Sequence, residues 1–175
     1  MKGFGDGKKS QKKFKKDFRD NNLKEQIIYK AFKFHSEGNI LEATKHYKFF
    51  ISQGFTDAKV FSNFGVLLKG LGKFKQAELV TRKAIDFDPN YFIAHSNLGG
   101  ILKELGKLKE AELATRKAIK IDPNYAIAHS NLGWILHNLG KLEEAELATH
   151  KAIELDPNYA DAYSNLGIIL KDLGK

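Results

Sequence analysis

All three prolines of this 175-residue chain, Pro89, Pro123 and Pro157, lie 34 residues apart. A fixed period of this size means one small structural unit copied along the chain, each copy burying its apolar face against the next. Residues 92–125 read FIAHSNLGGILKELGKLKEAELATRKAIKIDPNY and residues 126–159 read AIAHSNLGWILHNLGKLEEAELATHKAIELDPNY, which agree at 26 of 34 positions without a gap. Residues 58–91 match the first of these at 21 of 34.

Each copy divides into two helices. In residues 126–159 the apolar Leu132, Ile135, Leu136 and Leu139 fall at helical spacing, from about Ser130-Asn131 to Gly140. Gly140 stops that helix, as Gly106 and Gly72 do in the earlier copies. A second helix is expected from Glu143 to about Leu155, with Ala145, Ala148, Ala152 and Ile153 on its apolar side. Asp156-Pro157-Asn158 ends it, because proline disfavours helical geometry in the residue before it. Gly133, Ala145 and Ala152 fit points of close helix approach.

The pattern resembles the tetratricopeptide repeat (TPR) family. The family's positions are filled by His129, Leu132-Gly133, Leu136, Ala145, Ala152 and Pro157. They recur as His95, Leu98-Gly99, Leu102, Ala111, Ala118 and Pro123, and as Phe61, Phe64-Gly65, Leu68, Ala77, Ala84 and Pro89. The resemblance implies an all-α, right-handed superhelical solenoid of antiparallel helix pairs. Residues 24–57 fit the frame as a degenerate repeat through Ala31, Gly38, Ala43 and Tyr47, with Phe50 at the late alanine place and Gln53-Gly54 at the turn. Residues 160–175, ADAYSNLGIILKDLGK, are a partial repeat that stops after the first helix. Leu166, Ile169, Leu170 and Leu173 then lack the helix they normally bury. The expectation is that the chain continues in a longer protein, or that a partner or second copy covers this apolar helix. Bacterial arms of this type often precede a transferase or another catalytic domain.

By the same resemblance, the first helices line a concave binding face. Lysine recurs along it at Lys69, Lys103 and Lys171, which suits an acidic or polar peptide. Trp134, the chain's one tryptophan, and His137 fall there too; the indole either anchors a ligand or packs on the adjacent copy. Asn63, Asn97, Asn131 and Asn165 occupy one place in four successive copies. A primary amide has two donors and an acceptor, enough to hold an extended peptide backbone. This column is similar to the asparagine ladder in the TPR arm of O-linked N-acetylglucosamine transferases, and the run His-Ser-Asn-Leu-Gly strengthens the similarity. Asparagine is also a common structural residue at this place. Two functions are therefore expected: a scaffold that binds an extended peptide or partner protein, or the substrate-recruiting arm of a larger transferase whose catalytic domain lies beyond Lys175.

Charge is uneven. The net charge is +8, and eight Lys/Arg against three Asp place +5 of it in residues 1–22. Early glycines and like charge read as a basic disordered leader. Such an arm suits nucleic acid or an anionic membrane, with Phe14 and Phe18 as an apolar edge, or serves only as a solubilising tail. It has no apolar stretch of a secretory signal, so a cytoplasmic location is the expectation. With no cysteine there is no disulfide, thiolate ligand or cysteine nucleophile. The six histidines form no His-x-x-x-His pair, and no metal or cofactor is expected. No nucleophile, base and orienting group can be picked out, so no catalytic residue is assigned. The recurring Glu-Ala-Glu, Glu110 with Glu112 and Glu144 with Glu146, reads as a solvated helix face.

Overall fold

The computed structural model describes the backbone from residue 6 to residue 175 and the side chains from residue 19 onward. Among the described residues the elements are all helices. Contacts divide the chain into two compact units, Met1–Thr56 and Asp57–Lys175.

The first unit is a helix hairpin of α1 (Asp6–Ser36) and α2 (Ile40–Ser52). Gly38, with φ 71°, makes the reversal, and Asn39 Oδ1 caps α2 by accepting from the Glu42 N–H at 3.3 Å. Ala31, Ala43, Tyr47 and Phe50 are fully buried between the helices. Residues 6–22, expected to be a disordered leader, belong to α1 instead. Between Gly7 and Gly38 the sequence has no glycine or proline to interrupt a helix, and lysine and glutamine are good helix formers. Residues 1–5, and the side chains of Phe14 and Phe18, lie outside the described residues.

The second unit holds α3 (Ala58–Gly70), α4 (Phe74–Phe87), α5 (Phe92–Glu104), α6 (Leu108–Ile121), α7 (Ala126–Asn138), α8 (Leu142–Leu155) and α9 (Ala160–Asp172). The pairs α3–α4, α5–α6 and α7–α8 are hairpins. The first helices α3, α5, α7 and α9 pack on one another in sequence, and α4, α6 and α8 each pack on the first helix of the next pair. This is an all-α helical-repeat solenoid.

Small residues set the spacing within each hairpin. A methyl group at Gly65, Gly99 or Gly133 would collide with the hydroxyl of Thr81, Thr115 or Thr149 on the partner helix. Thr115 and Thr149 are themselves held, donating to the Ala111 and Ala145 carbonyls at 2.9 and 2.8 Å. Ala77, Ala111 and Ala145, then Ala84, Ala118 and Ala152, are completely buried. The turn between paired helices closes through Gly72 and its equivalents. Gly72 sits at φ 69°, its N–H donating to the Lys69 carbonyl, while the Lys73 N–H reaches back to the Leu68 carbonyl at 2.9 Å.

The first helices begin earlier than the apolar spacing suggested. α7 starts at Ala126 rather than near Ser130. The Asp122 carboxylate accepts from the Asn124 N–H at 3.0 Å, closing the turn, and the helix resumes directly after Tyr125. His129 Nε2 then donates to the Pro123 carbonyl at 2.8 Å, and His95 does the same to Pro89 at 2.9 Å. These histidines tie each helix to the linker before it. At the far end, a Cβ on Gly167 would meet nothing within 4 Å.

Candidate functional site

The sequence placed the candidate residues on the first helices, and Asn63, Asn97, Asn131 and Asn165 do occupy equivalent half-buried places on α3, α5, α7 and α9. Three of the four amides are partly committed. Asn97 Nδ2 donates to Ser62 Oγ at 2.9 Å, Asn131 to Ser96 at 3.2 Å and Asn165 to Ser130 at 3.1 Å. Each bond joins one first helix to the preceding one. The serines are buried beneath the amides at 0%, 0% and 2% exposure. One N–H and the carbonyl oxygen of each bonded amide are left for other partners.

Beside the asparagines runs a second row. Lys69 Nζ stands 3.4 Å from where a Cβ on Gly100 would be, so the glycine makes room for the ammonium. Burial first, and then repulsion by Lys103, pull Lys69 below the ordinary lysine range, against an opposing pull from Glu104. Lys103 pairs with Glu104 at 2.9 Å and lies 5.9 Å from the centre of the Trp134 ring. Trp134 stacks on His137, with centroids 5.1 Å apart and planes at 17°. His137 Nε2 donates to Asp172 Oδ2 at 2.6 Å, while its Nδ1 is buried without a partner. Lys69, Lys103, Trp134 and His137 thus form one strip across α3, α5 and α7. Lys171 stands exposed on α9, outside that chain of contacts. The strip offers partly desolvated cations next to an aromatic face, a combination that attracts a carboxylate lying beside an apolar side chain.

The Glu-Ala-Glu places are not simply solvated. The side chains of Glu78 and Glu112 are only 15% exposed. Glu78 accepts from Lys107 Nζ at 2.9 Å and Arg82 at 2.8 Å, and Glu112 from Lys141 at 3.1 Å and Arg116 at 2.9 Å. Arg82 and Arg116 also reach Glu110 and Glu144 of the next copy at 3.0 and 3.1 Å. The result is an ion-pair ladder between successive second helices. The Lys107 hydrogen bond above all, outweighing burial with help from Arg82, holds Glu78 below the usual carboxylate range. Glu112 is lowered too: burial pushes it up, but Lys141 and Arg116 together win.

Among the described residues no group of three or more His, Cys, Asp or Glu could hold a metal ion, and no helix is long and apolar enough to cross a membrane.

The architecture defines a helical-repeat protein, and comparison specifies which. Tetratricopeptide-repeat models match residues 58–91, 126–159 and 151–175, and a TPR-repeat model matches 101–140. The chain carries tetratricopeptide repeats. No curated protein sequence matches it. Among solved structures, the first TPR of Spaghetti (RPAP3), bound to the HSP90 peptide SRMEEVD, is 29% identical with a TM-score of 0.63 over 67% of this chain and 94% of that one. The thermophilic TPR protein TTC0263 of Thermus thermophilus is 17% identical with a TM-score of 0.76, covering 86% and 83%. MamA from Desulfovibrio magneticus RS-1 is 23% identical with a TM-score of 0.74, covering 86% and 85%. The last two likenesses are of fold alone.

Proposed function

We propose that this chain is a non-catalytic scaffold that binds an extended peptide of acidic character along the face made by its first helices. The Lys69–Lys103–Trp134–His137 strip carries this reading, because it sets two cations and an aromatic plane in line across three successive repeats. The RPAP3 domain, with its bound peptide SRMEEVD, supports the same class of ligand. The asparagine column contributes its remaining amide groups to the peptide backbone, as the ladder of the transferase arms suggests. Those amides read main chain, and the strip reads side-chain charge.

Trp134 is the chain's one tryptophan, so its fluorescence reports on the strip directly. Titration with acidic, neutral and basic decapeptides should give saturable quenching only with the acidic set. Lys69→Glu with Lys103→Glu should abolish it, as two charge contacts are reversed. Equal binding of all three sets would defeat the assignment. The amide roles separate by a pairwise comparison. Ser62→Ala with Ser96→Ala removes the inter-helix bonds and should lower stability by about 1–3 kcal/mol in total while sparing peptide affinity. Asn97→Ala with Asn131→Ala should lower both. Loss of stability alone in the asparagine variant would leave that column purely structural.

A further inference from the structure

The second helices carry a feature that the first-helix face does not use. Leu79, Leu113 and Leu147 repeat at one place on α4, α6 and α8, and they are 61%, 71% and 71% exposed. Large apolar side chains scattered singly on a surface are ordinary, but three in register on neighbouring helices form a track. Lysines stand four residues to either side of two of them, Lys75 and Lys83 around Leu79, and Lys109 and Lys117 around Leu113. On a helix those positions share one face. Between α6 and α8 the track opens into a pocket of about 490 Å³. Ile119, Leu132, Leu136, Leu147 and Ala148 make its apolar lining, Arg116, Lys120 and Lys151 its cationic side, and Glu144 and His129 complete its rim. Arg116 is engaged by Glu112 and Glu144, and Lys151 by Glu154, whereas Lys120 has no ion-pair partner among the described residues.

We propose that this outer face is a second docking surface, distinct from the peptide strip, for an acidic amphipathic helix of a partner protein. Its apolar side chains fill the pocket and lie along Leu113 and Leu79, and its carboxylates meet Lys120, Lys117 and Lys109. The length of the track selects a helix over a small amphipathic acid, which would occupy the pocket and leave Leu79 and Leu113 bare. The charge on α8 selects it over an anionic bilayer. Glu143, Glu144 and Glu154 are exposed there: a flat bilayer would press phosphates on all three, whereas a helix can turn its carboxylates to the lysines of α6 and leave these glutamates in water. Helix-in-groove recognition needs an apolar slot flanked by charge opposite to the ligand's, and the lysines of α6 supply that flank.

The test uses the whole chain, isotopically labelled, and a fluorescein-tagged 18-residue glutamate–leucine peptide with leucines at helical spacing. Saturable binding is expected, with amide shifts at Ile119, Lys120, Leu147 and Ala148. Leu113→Glu with Leu147→Glu alters only exposed groups and should keep the melting temperature while weakening binding by about tenfold or more. Lys120→Glu should weaken it less. The leucine-dependent binding should persist in Lys69→Glu with Lys103→Glu, whose strip no longer takes an acidic peptide, which separates this surface from the strip. Three outcomes overturn the proposal: shifts confined to Trp134 and its neighbours, equal affinity in the leucine variant, or leucine-dependent binding to phosphatidylserine vesicles in place of the peptide. Dodecanoate that binds the pocket while the peptide does not would also overturn it.

Discussion

The α1–α2 hairpin and the hairpins of the second unit share one 34-residue frame but are packed on different plans. In the second unit a glycine on the first helix receives a threonine on the second, and an alanine lies one turn further on. In α1–α2 these places hold Ala31, Tyr47 and Phe50. Tyr47 packs edge-on to His35 and hydrogen-bonds to its Nδ1 at 3.0 Å, and Phe50 meets Phe55 at 5.6 Å between centroids. Burial raises the Tyr47 phenol well above its ordinary range. Where the repeats carry the ladder glutamate and arginine, α2 has Thr44 and Lys48. A helix pair can therefore be closed by bulk, or by closeness reinforced with charge, and only the second plan can be copied unchanged along a chain. Each threonine–glycine contact is internal to its hairpin, and each glutamate is answered by the lysine of the following one.

Tyr47→Ala strikes the first plan at its centre and should cost about 3–5 kcal/mol, since an aromatic core residue leaves a large cavity. Hydrogen exchange should quicken across α2 and stay slow in α5–α8; uniform acceleration would mean that the two plans are not separable. Ala118→Leu attacks the second plan by overpacking a fully buried contact, with an expected loss of about 1–3 kcal/mol. Unchanged melting would undo the close-approach argument. The smallest effect is acid. Glu78 and Glu112 have folded pKa values below their ordinary 4.5. Their stabilisation is complete above that pH and disappears as pH falls through the lowered values. Between about pH 4.5 and 3 the second unit should lose stability that 1 M salt has already removed, because exposed partners make these pairs worth under about 1 kcal/mol each. A profile insensitive to salt would show that the ladder is ornamental.

The repeat, the helix pairing and the small-residue contacts were legible in the sequence, since period and residue size are one-dimensional signals. Gly133 fits a close approach by its size alone, but nothing in the sequence names Thr149 as what it meets. The asparagine–serine bonds were hidden although both residues were in view. Which face of one copy meets which face of the next is a matter of packing offset, and nothing in Ser-Asn announces that the amide serves the serine of the copy before it. The residue 35 positions before Asn63 is Ile28, which has no hydroxyl to offer. The glutamates misled for a related reason: alternating Glu-Ala-Glu looks solvated until lysine of the following copy closes over one of the two. Leu79, Leu113 and Leu147 carry no surface signal of their own, since leucine in a helix suggests a core. In residues 6–22 dense like charge points away from order, while lysine and glutamine without an interrupting proline point to a helix.

The asparagine bonds span 35 residues and the lysine–glutamate bonds span 29. One edge of the stack is thus stitched by short, directional amide bonds, and the other by charge pairs that tolerate sliding. A stack built this way behaves as an anisotropic spring. Bending that spreads the second helices stretches only compliant links, whereas bending that spreads the first helices must break bonds with little give. The pitch of the first helices is therefore held more firmly than that of the second.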